Sequence, residues 1–246
     1  MEGDFVSERT LLSDDVSMTR KLRPSRLFDF IQEISIAHTI ALGYPRETTL
    51  DKGYLWVIGR ESLSIKRMPE YDERIRVSTY PDRTLKVLYP RSYEIQDEKG
   101  ETLIEGMAVW TLIDEKTRTV VEPEISGVII KDASHGRCLP FPRALRLENL
   151  PHKKKLVASY SQCDLNGHMN NTKYLDIAED LIPMDFLLSH DLIGISVVYK
   201  KEIKCGEEFE VEYGPYGKGF AFHGDRFDIL LEFGEGKDVL LHQKRL

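Results

Sequence analysis

The sequence predicts an α+β fold in which one arrangement, a helix followed by antiparallel strands, occurs twice. The helical patterns fall at 26–42 and at about 171–181, and each is followed by segments rich in β-branched and aromatic residues. A helix and a sheet must each bury an apolar face, so we expect each helix to be wrapped by its own sheet. The length of 246 residues allows one large domain or two small ones.

The first helix has clear start and stop signals. Pro24 and Ser25 precede it, and Gly43 follows its last apolar residue. Its strands are expected at 55–66, 74–80, 85–96 and 102–113, separated by polar turn segments.

The second helix is preceded by a short strand near 156–161 and is ended or kinked by Pro183. Strands are expected at 193–203, 208–213, 220–233, with a break near Gly224, and 239–243. Between the two repeats, 122–151 contains four prolines and no regular pattern. We therefore predict domains at 1–122 and 152–246, joined by a linker at 123–151.

Composition excludes several classes of protein. The 34 basic and 41 acidic residues give a net charge of −7, which argues against nucleic-acid binding. No apolar run reaches the ~18 residues of a membrane span, and the acidic start predicts neither a secretory signal nor a plastid transit peptide. The three cysteines form no CxxC pair, so we expect no disulfide framework, no zinc site and a cytoplasmic location.

The densest polar segment is 163–171. In an extended segment, Asp164, Asn166 and His168 point to one side and Leu165 to the other. Gly167 permits an unusual backbone angle, and the N-terminus of the second helix can stabilise an oxyanion beside His168.

Two readings of this segment fail, and two remain open. A calcium loop would need an acidic residue where Leu175 stands, and a zinc site would need a second histidine at ligand spacing. Cys163 as a nucleophile remains open, as does a plain polar loop that caps a helix. The remaining motifs are interpreted structurally, with 214–219 as a hairpin turn and Trp56 and Trp110 as core residues.

Residues 164–174, DLNGHMNNTKY, resemble the D-x-N-x-H-[VM]-N-N-x-x-Y signature of acyl-ACP thioesterases, and Tyr199-Lys200-Lys201-Glu202 resembles that family's Y-R-R-E segment. The resemblance implies two tandem hot-dog domains, hydrolysis of acyl-acyl carrier protein (ACP), no cofactor, and a catalytic set at Asp164, Asn166, His168 and Glu202. Plant members have cysteine directly after that glutamate, whereas here Ile203 follows and Cys205 does not match. This departure favours water as the attacking group.

The residue types suit thioester hydrolysis, because a thiol leaving group needs little acid assistance. We expect Glu202 to be the base for water, with its pKa raised by an apolar acyl tunnel. Asn166 would orient the water, and His168 with the amides of 169–171 would stabilise the oxyanion or share in water activation. Asp164 would hold the loop.

The first half lacks this set. Counting from the aligned helices, we predict that Met18, Arg20, Leu22 and Ser64 stand where the second half has its catalytic residues. We therefore expect one active site per chain, with the first half shaping the acyl pocket.

An acidic carrier protein would dock on a basic patch. Candidates are Lys153–Lys155, Arg137, Arg143, Arg146, Arg20, Lys21, Arg23 and Arg26. The alternatives are an acyl-CoA thioesterase, another hot-dog enzyme or a non-catalytic acyl-binding protein, and a homodimer is left open.

Overall fold

The computed structural model describes residues 4–236. The first half contains one long helix and five strands, which are β1 (Phe5–Thr10), α1 (Pro24–Ala41), β2 (Tyr54–Ile65), β3 (Arg74–Pro81), β4 (Leu88–Asp97) and β5 (Thr102–Asp114). A short helix follows, α2 (Pro123–Ser126). The second half contains β6 (His152–Val157), α3 (Lys173–Leu181), α4 (Met184–Ser189), β7 (His190–Tyr199), β8 (Glu208–Tyr216), β9 (Gly219–His223) and β10 (Phe227–Glu235).

All ten described strands form one antiparallel sheet, in the order β1-β3-β4-β5-β2-β7-β10-β9-β8-β6. From its outer edge to the centre, the first half contributes β1-β3-β4-β5-β2, and the second half contributes β6-β8-β9-β10-β7 in the equivalent order. The two halves therefore meet at the central pair β2 and β7, where Arg60 pairs with Val198 and Ser64 with Gly194. The predicted α+β class is confirmed, and the two sheets are joined edge to edge.

One core runs through both halves. Apolar residues of α1, such as Leu27 and Ile31, and of α3, such as Leu175 and Ala178, are buried against the sheet. Their helical spacing is the amphipathic pattern from which both helices were predicted. In the described part of the chain, no helix has both the length and the apolar character needed to cross a membrane.

Several local expectations are confirmed. The second helix ends at Leu181, and Pro183 caps the start of α4. Strands β9 and β10 are separate on either side of Gly224, and the two-residue turn after Tyr216 joins β8 to β9. The strand expected at 239–243 lies outside the described residues.

Two edge strands were predicted wrongly. The sequence analysis gave no strand at Phe5–Thr10 and placed the first strand of the second half at 156–161, whereas β6 begins at His152. Both strands are polar and largely exposed, and β6 carries Lys153, Lys154 and Lys155. Charged side chains are common on edge strands, where they discourage pairing with other chains, so the apolar alternation that reveals a strand is weak there.

Candidate active site

Asp164 organises the polar loop before α3. Its Oδ1 accepts hydrogen bonds from the backbone N–H groups of Asn166 at 2.9 Å and His168 at 3.3 Å. Its Oδ2 lies 3.4 Å from Nδ2 of Asn166. Gly167 takes a φ of +74°, a left-handed conformation that glycine adopts at little cost. Asp164 therefore holds the two neighbouring polar residues in one tight loop.

The same loop is fastened to the chain between β7 and β8. The N–H of Met169 donates to the carbonyl of Ile203 at 2.8 Å, and the N–H of Cys205 donates to the carbonyl of Gly167 at 2.9 Å. These bonds bring Nε2 of His168 to 3.6 Å from Oε2 of Glu202. At this separation one water molecule can contact both side chains.

An arginine from the first half completes this cluster. Arg118 lies in the turn after β5 and forms an ion pair with the carboxylate of Glu202. The sequence analysis missed Arg118, because only the pairing of β2 with β7 brings this turn to the second half. The expected apolar surrounding of Glu202 is wrong, since its side chain is 40% exposed and faces a guanidinium.

The four predicted residues all border one open cleft between the halves. Asp164, Asn166, His168 and Glu202 line it, and its volume is about 1150 Å³. Leu165 lies on the other side of the loop, as the alternation predicts, where it is 91% exposed and borders an apolar pocket of about 340 Å³ in the first half. Trp56 borders both cavities and is therefore a wall residue, not the core residue that was expected.

The amides near the start of α3 do not all face the cleft freely. Those of Met169 and Asn170 donate to the carbonyls of Ile203 and Gln162. The N–H of Thr172 donates to the side chain of Asn170 at 3.0 Å. Asn171 borders the cleft, and its N–H has no acceptor within residues 4–236. One amide of the expected group of three therefore remains for a ligand.

The cysteines are poorly placed as nucleophiles. A hydrogen bond with Cys205 raises the pKa of the Cys163 thiol to about 11, so this thiol stays protonated near neutral pH. Its Sγ donates to the carbonyl of Ser159 at 3.3 Å. Across residues 4–236, no group of three or more His, Cys, Asp or Glu side chains is close enough to hold a metal ion.

A loop of the same backbone design precedes α1. The isolated bridge between Val16 and Leu22 corresponds to that between Cys163 and Met169, and the Lys21–Glu70 bridge corresponds to His168–Lys204. The connections after β2 and β7, 66–73 and 200–207, each contain eight residues.

This register corrects the predicted equivalences. Ser17, Thr19 and Lys21 correspond to Asp164, Asn166 and His168, and Met68 corresponds to Glu202. The expected set of Met18, Arg20, Leu22 and Ser64 is wrong, by one residue in the loop and by four in the strand connection. The apolar pattern of a helix does not fix the alignment of the two halves to the exact residue. The backbone hydrogen bonds do, because each joins two particular residues. The first-half loop borders a small, mostly apolar pocket of about 110 Å³.

Four of the ten predicted basic residues are neutralised by salt bridges to described carboxylates. Arg137 pairs with Asp4, Lys153 with Glu210, Lys21 with Asp191, and Arg26 with Asp15 and Asp29. At the cleft itself, Lys201 and Lys204 are exposed and make no salt bridge to a described residue. Glu202 was the residue of this segment predicted from the sequence, and the two lysines were not among the predicted docking residues.

Comparisons with known proteins agree with this architecture. Family models match residues 3–128 as the acyl-ACP thioesterase N-terminal domain and 148–232 as the C-terminal domain. The chain is 23% identical over 259 residues to the chloroplastic acyl-[acyl-carrier-protein] hydrolase FATB2 of Cuphea viscosissima, with 96% of this chain and 61% of that protein covered. The chain thus spans about three fifths of the length of this curated relative.

Two solved structures share the fold. An acyl-ACP thioesterase from Bacteroides thetaiotaomicron superposes with a TM-score of 0.81 at 18% identity, covering 94% of this chain and 98% of that one. The 12:0-ACP thioesterase from Umbellularia californica gives a TM-score of 0.78 at 17% identity, covering 95% and 98%. With matching models of both domains and two tandem hot-dog units in one sheet, the chain belongs to the acyl-ACP thioesterase family.

Proposed function

We propose that this chain hydrolyses the thioester of acyl-ACP and releases a free fatty acid. The observation that carries the proposal is the convergence of Asn166, His168 and Glu202 on one cleft, with 3.6 Å between the imidazole and the carboxylate. Its relatives are named as acyl-ACP hydrolases and thioesterases, which supports the same reaction.

In the proposed reaction, Glu202 accepts a proton from a water molecule that also contacts His168. The water oxygen attacks the thioester carbonyl carbon, and the amide of Asn166 orients it. The developing oxyanion receives hydrogen bonds from His168 and from the backbone N–H of Asn171. When the carbon–sulfur bond breaks, the carrier thiolate leaves and takes up the proton held by Glu202, which restores the base. Asp164 positions the loop, and the Arg118 guanidinium holds the Glu202 carboxylate at the cleft.

The acyl chain is proposed to enter the first half. The apolar pocket lined by Leu165, Trp56 and Trp110 lies directly beyond the catalytic loop. Because the polar side chains of that loop face the cleft and Leu165 faces the pocket, a thioester in the cleft can place its chain in the pocket. The first half would then set the preference for chain length.

The carrier is proposed to dock at the cleft rim. Lys201 and Lys204 flank Glu202 and make no salt bridge to a described carboxylate, so they can attract an acidic protein. The phosphates of coenzyme A would also be attracted by these lysines, so the preference for ACP over coenzyme A as the acyl donor is supported by the names of the relatives.

The direct test is to measure free fatty acid release from acyl-ACP and acyl-CoA of the same chain length. We expect a higher kcat/KM for acyl-ACP and a loss of about 10²-fold or more in the Glu202→Gln variant, which keeps the shape but not the base. Equal rates with both donors would contradict the carrier assignment. An unchanged rate in Glu202→Gln would contradict the catalytic assignment.

A further inference from the structure

A small void, lined mostly by apolar side chains but also by Glu61 and Thr172, lies between the cleft and the apolar pocket. Its volume is about 10 Å³, and it shares Ile58, Asn171 and Tyr199 with the cleft and Trp110 with the pocket. The void therefore borders the route that the acyl chain takes in the proposed function, on which this inference rests.

Two buried polar atoms in the void lack partners. Glu61 of β2 is 3% exposed, and its Oε1 has no hydrogen-bond partner within residues 4–236. Thr172, before α3, is 1% exposed, and its Oγ1 likewise has none in that range. Both residues line the void. A buried polar group without a partner costs free energy, so this pair is prepared to bind a polar atom.

The carboxyl group of Glu61 is suited to donate a hydrogen bond. Burial raises its pKa to about 8, so near neutral pH it is mostly a neutral acid with one O–H donor. The neighbouring cavity walls add a third unpartnered group, Nε1 of Trp56, which borders both the cleft and the apolar pocket. Of the four such buried atoms in residues 4–236, three therefore lie along the acyl route.

The position and size of the void limit what can bind there. A void of this size accommodates one group about as large as a water molecule. Asn171 lines both the void and the cleft, and its N–H is the oxyanion donor in the proposed function. A group that reaches the void is therefore attached near the thioester end of the chain.

We propose that Glu61 and Thr172 form a subsite for an oxygen substituent near the thioester end of the acyl chain, such as a 3-hydroxyl or 3-oxo group. The substituent restores hydrogen bonds to both residues, whereas an unsubstituted chain leaves them without partners. A site built to bind an oxygen discriminates against the analogue that lacks it more strongly than an apolar pocket does.

The test compares kcat/KM for 3-hydroxyacyl-ACP, 3-oxoacyl-ACP and unsubstituted acyl-ACP of equal chain length. For the wild-type protein we expect a preference of about tenfold for an oxygenated chain, the size of one hydrogen bond. The two oxygenated substrates show whether the hydroxyl or the oxo group is preferred. A wild-type protein that favours the unsubstituted chain would overturn the proposal.

Variants of Glu61 test whether the preference for an oxygenated acyl chain comes from the void. Glu61→Met fills the space without a polar group, so we expect it to abolish the preference and to raise kcat/KM for the unsubstituted chain. Glu61→Gln keeps a donor and should keep part of the preference. Glu179→Gln is the matched control, because Oε2 of Glu179 is also buried without a described partner but borders the pocket of about 110 Å³, away from the acyl route. A preference that survives Glu61→Met, or that is lost in Glu179→Gln, would refute the assignment.

A binding measurement separates this proposal from the proposed function. If no acyl-ACP is hydrolysed, the function has failed, and calorimetry with the wild-type protein then compares free 3-hydroxy and unsubstituted fatty acids. Tighter binding of the 3-hydroxy acid supports the subsite, and equal binding overturns it. If Glu61→Met does not fold, the same calorimetric comparison with the wild-type protein tests the subsite.

Discussion

The loops that precede α1 and α3 share one backbone design but differ in chemistry. Both close with the same bridge, and both contain a residue with positive φ, Arg20 at +66° and Gly167 at +74°. The second-half loop borders a cleft of about 1150 Å³, whereas the first-half loop borders a pocket of about 110 Å³. The shared hydrogen bonds thus belong to the fold, and the activity must come from the side chains and the open space.

The side chains that differ are the ones that the reaction needs. The first-half loop has Ser17, Thr19 and Lys21 in place of the acid, amide and imidazole, and Lys21 is paired with Asp191. α4 of the second half covers the first-half loop with Met184 and Leu187. The first half therefore has the same loop backbone as the proposed active site, but residues of α4 occupy the space where the second half has its cleft.

One backbone difference sharpens this contrast. In the register of the two bridges, Pro24 stands where the second half has Asn171. Proline has no N–H, so the first-half loop lacks the counterpart of the Asn171 N–H, which alone among the amides of 169–171 has no described acceptor.

This difference predicts the effect of Asn171→Pro. The variant should lose about 10²-fold in kcat, the usual effect of removing one oxyanion donor, because proline deletes only an N–H that has no described acceptor. It should fold, since Pro24 is accommodated at the matching position. Asn171→Ala keeps the N–H and should keep most of the rate. Equal losses in the two variants would show that the side chain, not the amide, matters.

Buried carboxyl groups also differ between the halves. Glu61 lies on β2 of the first half, and Glu179 lies on α3 of the second. Desolvation raises the pKa of Glu61 to about 8 and that of Glu179 to about 7. In the unfolded chain each ionises near its ordinary pKa of ~4.3. Between about pH 4.3 and pH 8, Glu61 is therefore protonated in the folded protein but ionised in the unfolded chain. Because the folded protein binds more protons in this range, the free energy of unfolding falls as pH rises.

Glu61→Gln should remove this contribution. The variant should gain stability relative to the wild type as pH rises from about 4 to 8, by about 5 kcal/mol in total, and should gain nothing more above that range. Tyr93 and Tyr199 also face Glu61, but burial raises their pKa values well above this range. Urea unfolding of both proteins at several pH values checks the prediction. A difference that is independent of pH would contradict it.

Much of the site was predictable because its residues are close together in sequence. The spacing of Asp164, Asn166 and His168 places them on one side of an extended loop, and one further segment supplies Glu202. Arg118 could not be found in this way, because it reaches the cleft only through the sheet that joins the halves. The edge strands β1 and β6 were missed or shifted because polar exposed strands lack apolar alternation.

The correspondence between the halves was likewise only partly predictable. The sequence showed a repeated order of helix and strands, and the sheet order confirms it. The exact register depends on backbone hydrogen bonds, which leave no trace in residue type. For this reason the first-half counterparts were misplaced by one residue in the loop and by four after the strand.

The central claim is that the chain has one working site, in the second half. Its most direct test is the initial rate of fatty acid release from acyl-ACP by His168→Gln and Lys21→Gln, the same substitution at corresponding positions of the two loops. If the second half holds the working site, His168→Gln should lose about 10²-fold or more in kcat. For Lys21→Gln we expect a kcat within about twofold of the wild type. Comparable losses in both variants, or an unchanged kcat in His168→Gln, would contradict the claim.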